Sequence, residues 1–183
     1  MTPITQLTVT ARHEAGHAVA AVARSCGRVG IIHAITVGEG RGAVHHRRVP
    51  GEDWAIALAG PWAEARFLWE HWSPGDDWDD ESDMSGVLFE VFSQQPSDYE
   101  AYTGDLHRWT DKLTGDGMDA SAATAAVQEM DLDWTDALEA LWPAIQHIAA
   151  LLIKGVTVTE GVVRAAVGQA YSSSDPQPVT AAA

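Results

Sequence analysis

Residues 11 to 23 read ARHEAGHAVAAVA, and this stretch decides how the chain is expected to fold. Most positions from Val9 to Ser25 hold apolar or small residues, and the run contains one glycine and no proline. This composition predicts a buried helix. Thr8 or Thr10 could provide the N-cap, because a hydroxyl oxygen can accept a hydrogen bond from a free N–H of the first turn.

Two histidines in this helix are spaced to share one metal ion. Residues four apart lie on the same helix face, so His13 and His17 can each offer a ring nitrogen to zinc. Glu14 lies about 100° round the helix from His13, which suits a proton acceptor better than a ligand. Zinc lowers the pKa of a bound water to roughly 7. The spacing predicts one zinc ion per chain, with Glu14 as general base, and two structural histidines are the alternative.

Gly16 stands between the two histidines. A glycine inside a helix costs roughly 0.5–1 kcal/mol relative to alanine. The cost makes sense if another backbone or a substrate comes close to the helix at this point. Gly16 therefore supports the prediction of a functional site.

Length and charge restrict the classes of function. The 183 residues suit one domain, predicted over residues 1–171, and residues 172–183 have the composition of a disordered tail. Asp and Glu number 26 against 11 Lys and Arg, a formal net charge of -15. A phosphate backbone or an anionic membrane surface would repel such a protein, so no nucleic-acid partner is expected.

The cysteine content and the hydropathy pattern indicate a cytoplasmic protein. Cys26 is the one cysteine in the sequence, so no internal disulfide can form. The first residues lack the basic and apolar segments of a signal peptide. No apolar run approaches the roughly 20 residues that a membrane span needs.

The rest of the chain reads as helices around one hairpin. Two β-branched runs, 31–37 and 43–49, flank the glycine-rich GEGRG and predict the hairpin. A capping box, Thr157-x-x-Glu160, predicts the start of the last helix. Further helices are expected within 53–72, interrupted near Gly60-Pro61, and over 84–92, 97–113 and 130–154. The predicted class is mainly α with a small β-hairpin.

The order of these landmarks resembles the peptidase domain of FtsH-type ATP-dependent zinc metallopeptidases. HEAGHA is followed by AITV at 34–37, AGPWAEA at 59–65, SPG at 73–75 and the late helix LWPAIQHIAALLIKG, so the likeness covers roughly residues 9 to 168. The resemblance implies a zincin-like helical peptidase domain and a zinc-dependent endopeptidase acting on peptide or unfolded protein. It also implies that an aspartate is the third zinc ligand.

The third ligand has several candidates in the acidic segment. Aligned with the family's S-T-G-A-S-N-D turn, S-P-G-D-D-W-D puts Asp79 at the ligand position. Asp83 is preferred because Ser82-Asp83-Met84 is similar to the family's N-D-I and an apolar helical stripe begins directly after it, as the family's helix does. A plain N-cap is an equal interpretation of Asp83, and Asp80 ranks third. Glu64 could also bind metal, and a role in orienting a ligand is the preferred interpretation.

The sequence departs from the family in ways that affect its predicted partners. Family members carry an ATPase module and membrane anchors and assemble into hexamers, and this sequence contains neither module. The chain is therefore expected to cut flexible peptides, or to depend on a separate delivery partner or a homo-oligomer. Residues 43–49 could form the edge onto which a peptide adds as a strand, or a solvated strand end.

Two further functions remain open. The first is a degenerate peptidase or zinc-stabilised module that binds peptides without turnover. The second is an interaction surface, unrelated to metal, made by the acidic segment and its neighbouring tryptophans 69, 72 and 78.

Overall fold

Six helices and one two-stranded sheet make up the described part of the computed structural model, which covers residues 4–38, 41–49, 51–71 and 83–174. The mainly helical class with a small hairpin is confirmed. The elements, in chain order, are α1 Gln6–Ala23, β1 Ile32–Gly38, β2 Arg41–His46, α2 Asp53–His71, α3 Met84–Gln94, α4 Pro96–Gly115, α5 Ala120–Ile153 and α6 Glu160–Ser174.

Helix α1 lies at the centre of the molecule. Helices α2, α5 and α6 and both strands pack around it, and Ala11, Ala15 and Ala18 are completely buried. A helix surrounded on all sides has no polar face, which explains its near-continuous run of small residues. It begins earlier than predicted, because Thr5 is the N-cap and forms a capping box with Thr8.

The crossing of α1 and α2 is unusually close at Gly16. A Cβ atom on Gly16 would lie 2.2 Å from the carbonyl oxygen of Ala59 and 2.9 Å from the Cβ of Ala63. The prediction that another backbone approaches the helix at this glycine is therefore confirmed. Helix α2 also continues through Pro61, so the expected interruption does not divide it into two helices.

Helix α5 provides the other large face of the core. Its residues Leu138, Leu141, Ile145 and Ile148 are completely buried and belong to the same core cluster as α1. The predicted helical stripe is confirmed, but the helix begins at Ala120 rather than near residue 130. Residues 120–129 are rich in alanine and lack the large apolar residues on which the predicted boundary rested.

The hairpin is tied to the last helix. Strands β1 and β2 pair antiparallel, with Ile35 opposite Val44. The Glu160 carboxylate accepts backbone N–H groups of Gly30 at 3.1 Å, Ile31 at 2.6 Å and Ile32 at 3.0 Å. The predicted capping box is therefore wrong, since α6 begins at Glu160 itself and this carboxylate binds the chain before β1.

The C-terminal end of α6 extends into the predicted tail. Residues 172–174 are helical, which contradicts the expected disorder at these positions, and residues 175–183 lie outside the described part. No helix among the described residues is both long and apolar enough to cross a membrane.

Candidate metal centre

The two histidines of α1 direct their Nε2 atoms towards each other. The two Nε2 atoms are 3.0 Å apart, and the rings meet edge to face with centroids 4.7 Å apart. Both residues lie on the face of α1 that α2 covers, as their spacing predicts. Each ring can therefore direct one nitrogen into a shared position.

Helix α2 holds the other nitrogen of each ring. Nδ1 of His13 lies 3.0 Å from Oε2 of Glu64, and Nδ1 of His17 lies 2.8 Å from the carbonyl oxygen of Ile56. In the neutral ring, an acceptor at Nδ1 places the ring proton there and leaves the lone pair of Nε2 available to a metal. Glu64 therefore lies where the orienting role predicted for it requires.

Asp98 completes the group. Its Oδ2 lies 3.2 Å from Nε2 of His13 and 3.6 Å from Nε2 of His17. Two atoms that each coordinate a tetrahedral zinc ion at 2.0–2.1 Å are about 3.3 Å apart. The three separations lie close to that value, so His13, His17 and Asp98 fit one ion, and they are the one such group among the residues described.

Asp83, the preferred candidate for the third ligand, is not in this group. Asp83 is the exposed N-cap of α3, where its Oδ1 accepts the N–H of Gly86 at 3.0 Å. The structure thus gives Asp83 its alternative role as a plain N-cap. The start of α3 faces solvent, and the carboxylate binds an N–H of its own helix instead of a metal site with the two histidines. Asp79 and Asp80 lie outside the described residues, as do Trp72 and Trp78.

Sequence reasoning missed Asp98, although a signal was present. Pro96 occupies the first turn of α4, and Asp98 follows in the same turn. Proline at a helix start, followed by an acidic residue, marks a helix N-terminus as clearly as the pattern around Asp83. The polar composition of 94–120 directed attention to the more acidic segment before it.

Glu14 lies in the cavity that contains the three possible ligands. The cavity has a volume of about 500 Å³, and Gly42, Ala43 and Val44 of β2 form part of its wall. A Cβ atom on Gly42 would lie 2.4 Å from Oε1 of Glu14, so a side chain here would require the Glu14 carboxylate to move. Glu14 itself is 6% exposed.

Burial and charge shift the pKa values of this group in different directions. Burial raises the pKa of Glu14, and the nearby His17 and His13 oppose the rise. Burial alone would lower the pKa of His13, but hydrogen bonds with Asp98 and Glu64 outweigh it and raise that pKa to about 9. Burial would raise the pKa of Asp98, and hydrogen bonds with both histidines lower it instead. The carboxylates therefore favour a positive charge among them, which a proton or a metal ion can supply.

Gly60 of α2 leaves room for the ring of His17. A Cβ atom on Gly60 would lie 2.3 Å from Nε2 and 2.5 Å from Cε1 of His17. A side chain at this position would displace the nitrogen that faces Asp98 and His13. The lack of a side chain at Gly60 therefore allows the ring of His17 to occupy its position in the site.

Comparisons with known protein families, with curated proteins and with solved structures found no match to this chain.

Proposed function

We propose that this protein is a zinc-dependent endopeptidase, in keeping with its resemblance to the FtsH-type peptidase domain. One observation carries the proposal: His13, His17 and Asp98 converge in the open cavity that also contains Glu14. Two imidazoles and one carboxylate form a donor set of the kind found in catalytic zinc sites. A zinc ion held there would lower the pKa of its water to about 7 and polarise a peptide carbonyl.

Glu14 is the residue placed to move protons in this reaction. It follows His13 directly and faces the cavity beside the ligand group, yet it is not a member of that group. Burial raises its pKa, which brings a carboxylate closer to the neutral pH at which proton transfer is most effective. In the proposed mechanism Glu14 accepts a proton from the attacking water and delivers it to the leaving amine.

Strand β2 offers a place for the substrate backbone. One edge of β2 pairs with β1, and residues Gly42–Val44 border the cavity with the ligand group. A peptide that adds to a strand edge must be extended, so the substrate is a flexible peptide or an unfolded protein. We place the protein in the cytoplasm, with a separate delivery partner or a homo-oligomer supplying longer substrates.

The decisive experiment replaces Glu14 by glutamine. The Glu14→Gln protein should keep one zinc ion per chain and lose cleavage of unfolded casein, because the amide cannot accept the proton. Glu139→Gln, which changes an exposed carboxylate on α5, is the matched control and should cleave like the wild type. Wild-type cleavage by the zinc-loaded Glu14→Gln protein would refute the mechanism.

The second candidate is a zinc-stabilised module that binds peptides without cutting them. The burial of Glu14 beneath Gly42 favours it, since a covered base has restricted access to water. This version predicts that the wild-type protein cleaves no member of a peptide library, although a chelator lowers its Tm. Turnover of any peptide that depends on Glu14 rules it out.

A further inference from the structure

A second cavity adjoins the candidate metal centre. It has a volume of about 590 Å³ and shares Arg48 and Asp53 with the first cavity. From there it follows α4 beyond Asp98 to Trp109 and Lys112. The two cavities therefore meet at Arg48 and Asp53, and a peptide bound at the metal centre could extend into the second one.

The charges of this cavity are arranged with the carboxylates inside and the cations outside. Arg48 pairs with Asp53, and Arg108 pairs with Asp105. The arginine side chains are 75% and 63% exposed, whereas the aspartate side chains are 20% and 10% exposed. The second oxygen of each aspartate is fully covered and has no hydrogen-bond partner among the described residues. A ligand that enters the cavity therefore meets guanidinium groups, while the carboxylates are held behind them.

Lys112 adds a third cation that no carboxylate neutralises in the part of the chain that the structure describes. Its Nζ lies over the ring of Trp109, 4.7 Å from the centroid. The indole N–H of Trp109 donates to the carbonyl oxygen of Gly51 at 3.2 Å, which holds the ring in place. The chain as a whole is strongly acidic, at -15, whereas this cavity has three cations against two carboxylates.

We infer that this second cavity is a subsite for a carboxylate of the bound peptide, contributed by an Asp or Glu side chain. The inference rests on the proposed function, because the bond that is cut lies at the metal centre and its position determines which peptide residue reaches the second cavity. The cations Arg108 and Lys112 follow Asp98 on α4 by ten and fourteen residues, about 15 Å and 21 Å along the helix axis. An extended peptide covers these distances in about four to six residues. The preferred acidic residue should therefore lie about four to six residues from the bond that is cut.

The test measures binding separately from cleavage. Peptides that carry Glu at one position from the seventh before to the seventh after the cleaved bond are paired with Gln peptides. Their dissociation constants are measured by calorimetry on the zinc-loaded Glu14→Gln protein. We expect one position about four to six residues away at which Glu binds about fivefold more tightly than Gln, with the difference declining in high salt.

The two lysines of the chain provide a matched pair of variants. Lys112→Met should abolish the preference for Glu, and Lys154→Met, at the far end of α5, should retain it. Arg108→Met gives an independent second loss. Equal binding of Glu and Gln peptides overturns the inference, as does an equal effect of the two lysine variants or the failure of every peptide to bind.

Two further arms separate related outcomes. Amidating the peptide C-terminus shows whether the bound carboxylate belongs to a side chain, as inferred, or to the chain end, which would overturn the side-chain assignment. Cleavage of casein by the wild type without any Glu preference supports the proposed function and refutes the subsite. A Glu preference in binding without cleavage refutes the endopeptidase and leaves the subsite standing.

Discussion

Helices α3 and α4 each have an aspartate at their N-terminus, and the two aspartates have different environments. Asp83 caps α3 through the N–H of Gly86 and is exposed. Asp98 lies in the first turn of α4, where its carboxylate faces the paired imidazoles of α1. The local sequences around the two residues are similarly suited to a helix start. What separates them is the surface in front of each helix, so tertiary packing decides which carboxylate joins the candidate metal centre.

The largest expected effect comes from exchanging each aspartate for asparagine. Asp98→Asn should weaken zinc binding at least about 100-fold, because it removes the one anionic ligand of the group. Asp83→Asn should leave zinc binding unchanged and shift the free energy of unfolding by less than about 0.5 kcal/mol, since asparagine caps helices as well as aspartate. Competition with a fluorescent chelator measures both. If both variants lose zinc affinity equally, the assignment of Asp98 as a ligand and Asp83 as a plain N-cap is wrong.

The second effect concerns the helix that faces Asp98 across the site. Gly60→Ala should weaken zinc binding at least about tenfold, since the new methyl group would occupy the place of His17 Nε2. Helix propensity alone would leave zinc affinity unchanged and would raise the free energy of unfolding by about 0.5–1 kcal/mol. Gly168→Ala in α6, where a Cβ meets no neighbouring atom within 4 Å, is the control and should follow propensity. Unchanged zinc affinity in Gly60→Ala would show that the ring of His17 is not confined.

A smaller effect is expected at the carboxylate that orients His13. Glu64→Gln keeps an oxygen near Nδ1 of His13 but removes its charge, so zinc affinity should fall about tenfold. Glu139→Gln, on an exposed part of α5, should leave the affinity unchanged. The two variants are compared by the same chelator titration. A loss at Glu64 as large as that at Asp98 would make Glu64 a ligand rather than an orienting residue.

The smallest effect is a pH-dependent one at a third helix start, that of α6. Burial would raise the pKa of Glu160, but N–H groups of Ile32 and Ile31 and the side chain of Arg164 outweigh it and lower the pKa. A lowered folded-state pKa means that the carboxylate stabilises the fold above its ordinary value of 4.5 and loses this effect as the pH falls through the folded value.

Glu160→Gln should therefore lower the free energy of unfolding by about 1–2 kcal/mol at pH 7. The gap between wild type and variant should close as the solution is acidified below pH 4.5, as urea titrations at successive pH values would show. Glu129→Gln, an exposed change on α5, should produce no gap at any pH. If the difference in the free energy of unfolding persists in acid, the packing of the Glu160 side chain, and not its charge, stabilises the hairpin.

Local pattern predicted most of the fold and the half of the site that lies on α1. The apolar runs located α1, α3 and the second half of α5, because each of these helices buries one face or all of itself. The hairpin was located by its β-branched runs and its glycines instead, since its strands are mostly exposed or half-buried. The spacing of His13 and His17 depends on a single helix and could be read directly. Asp98 could not, since its position depends on how the polar helix α4 packs against α2. No periodicity reports a contact between residues 85 positions apart in the chain.

The tie between Glu160 and the start of β1 has a consequence for the order of events during synthesis. Gly30, Ile31 and Ile32 leave the ribosome long before their shared acceptor, which lies about 130 residues later. Until then these three amides lack their carboxylate acceptor, and β1, which pairs with the strand that borders Glu14, lacks its anchor. A nascent chain thus carries both histidines well before the hairpin beside them is secured, so the candidate metal centre would reach its final form only after residue 160 has been synthesised.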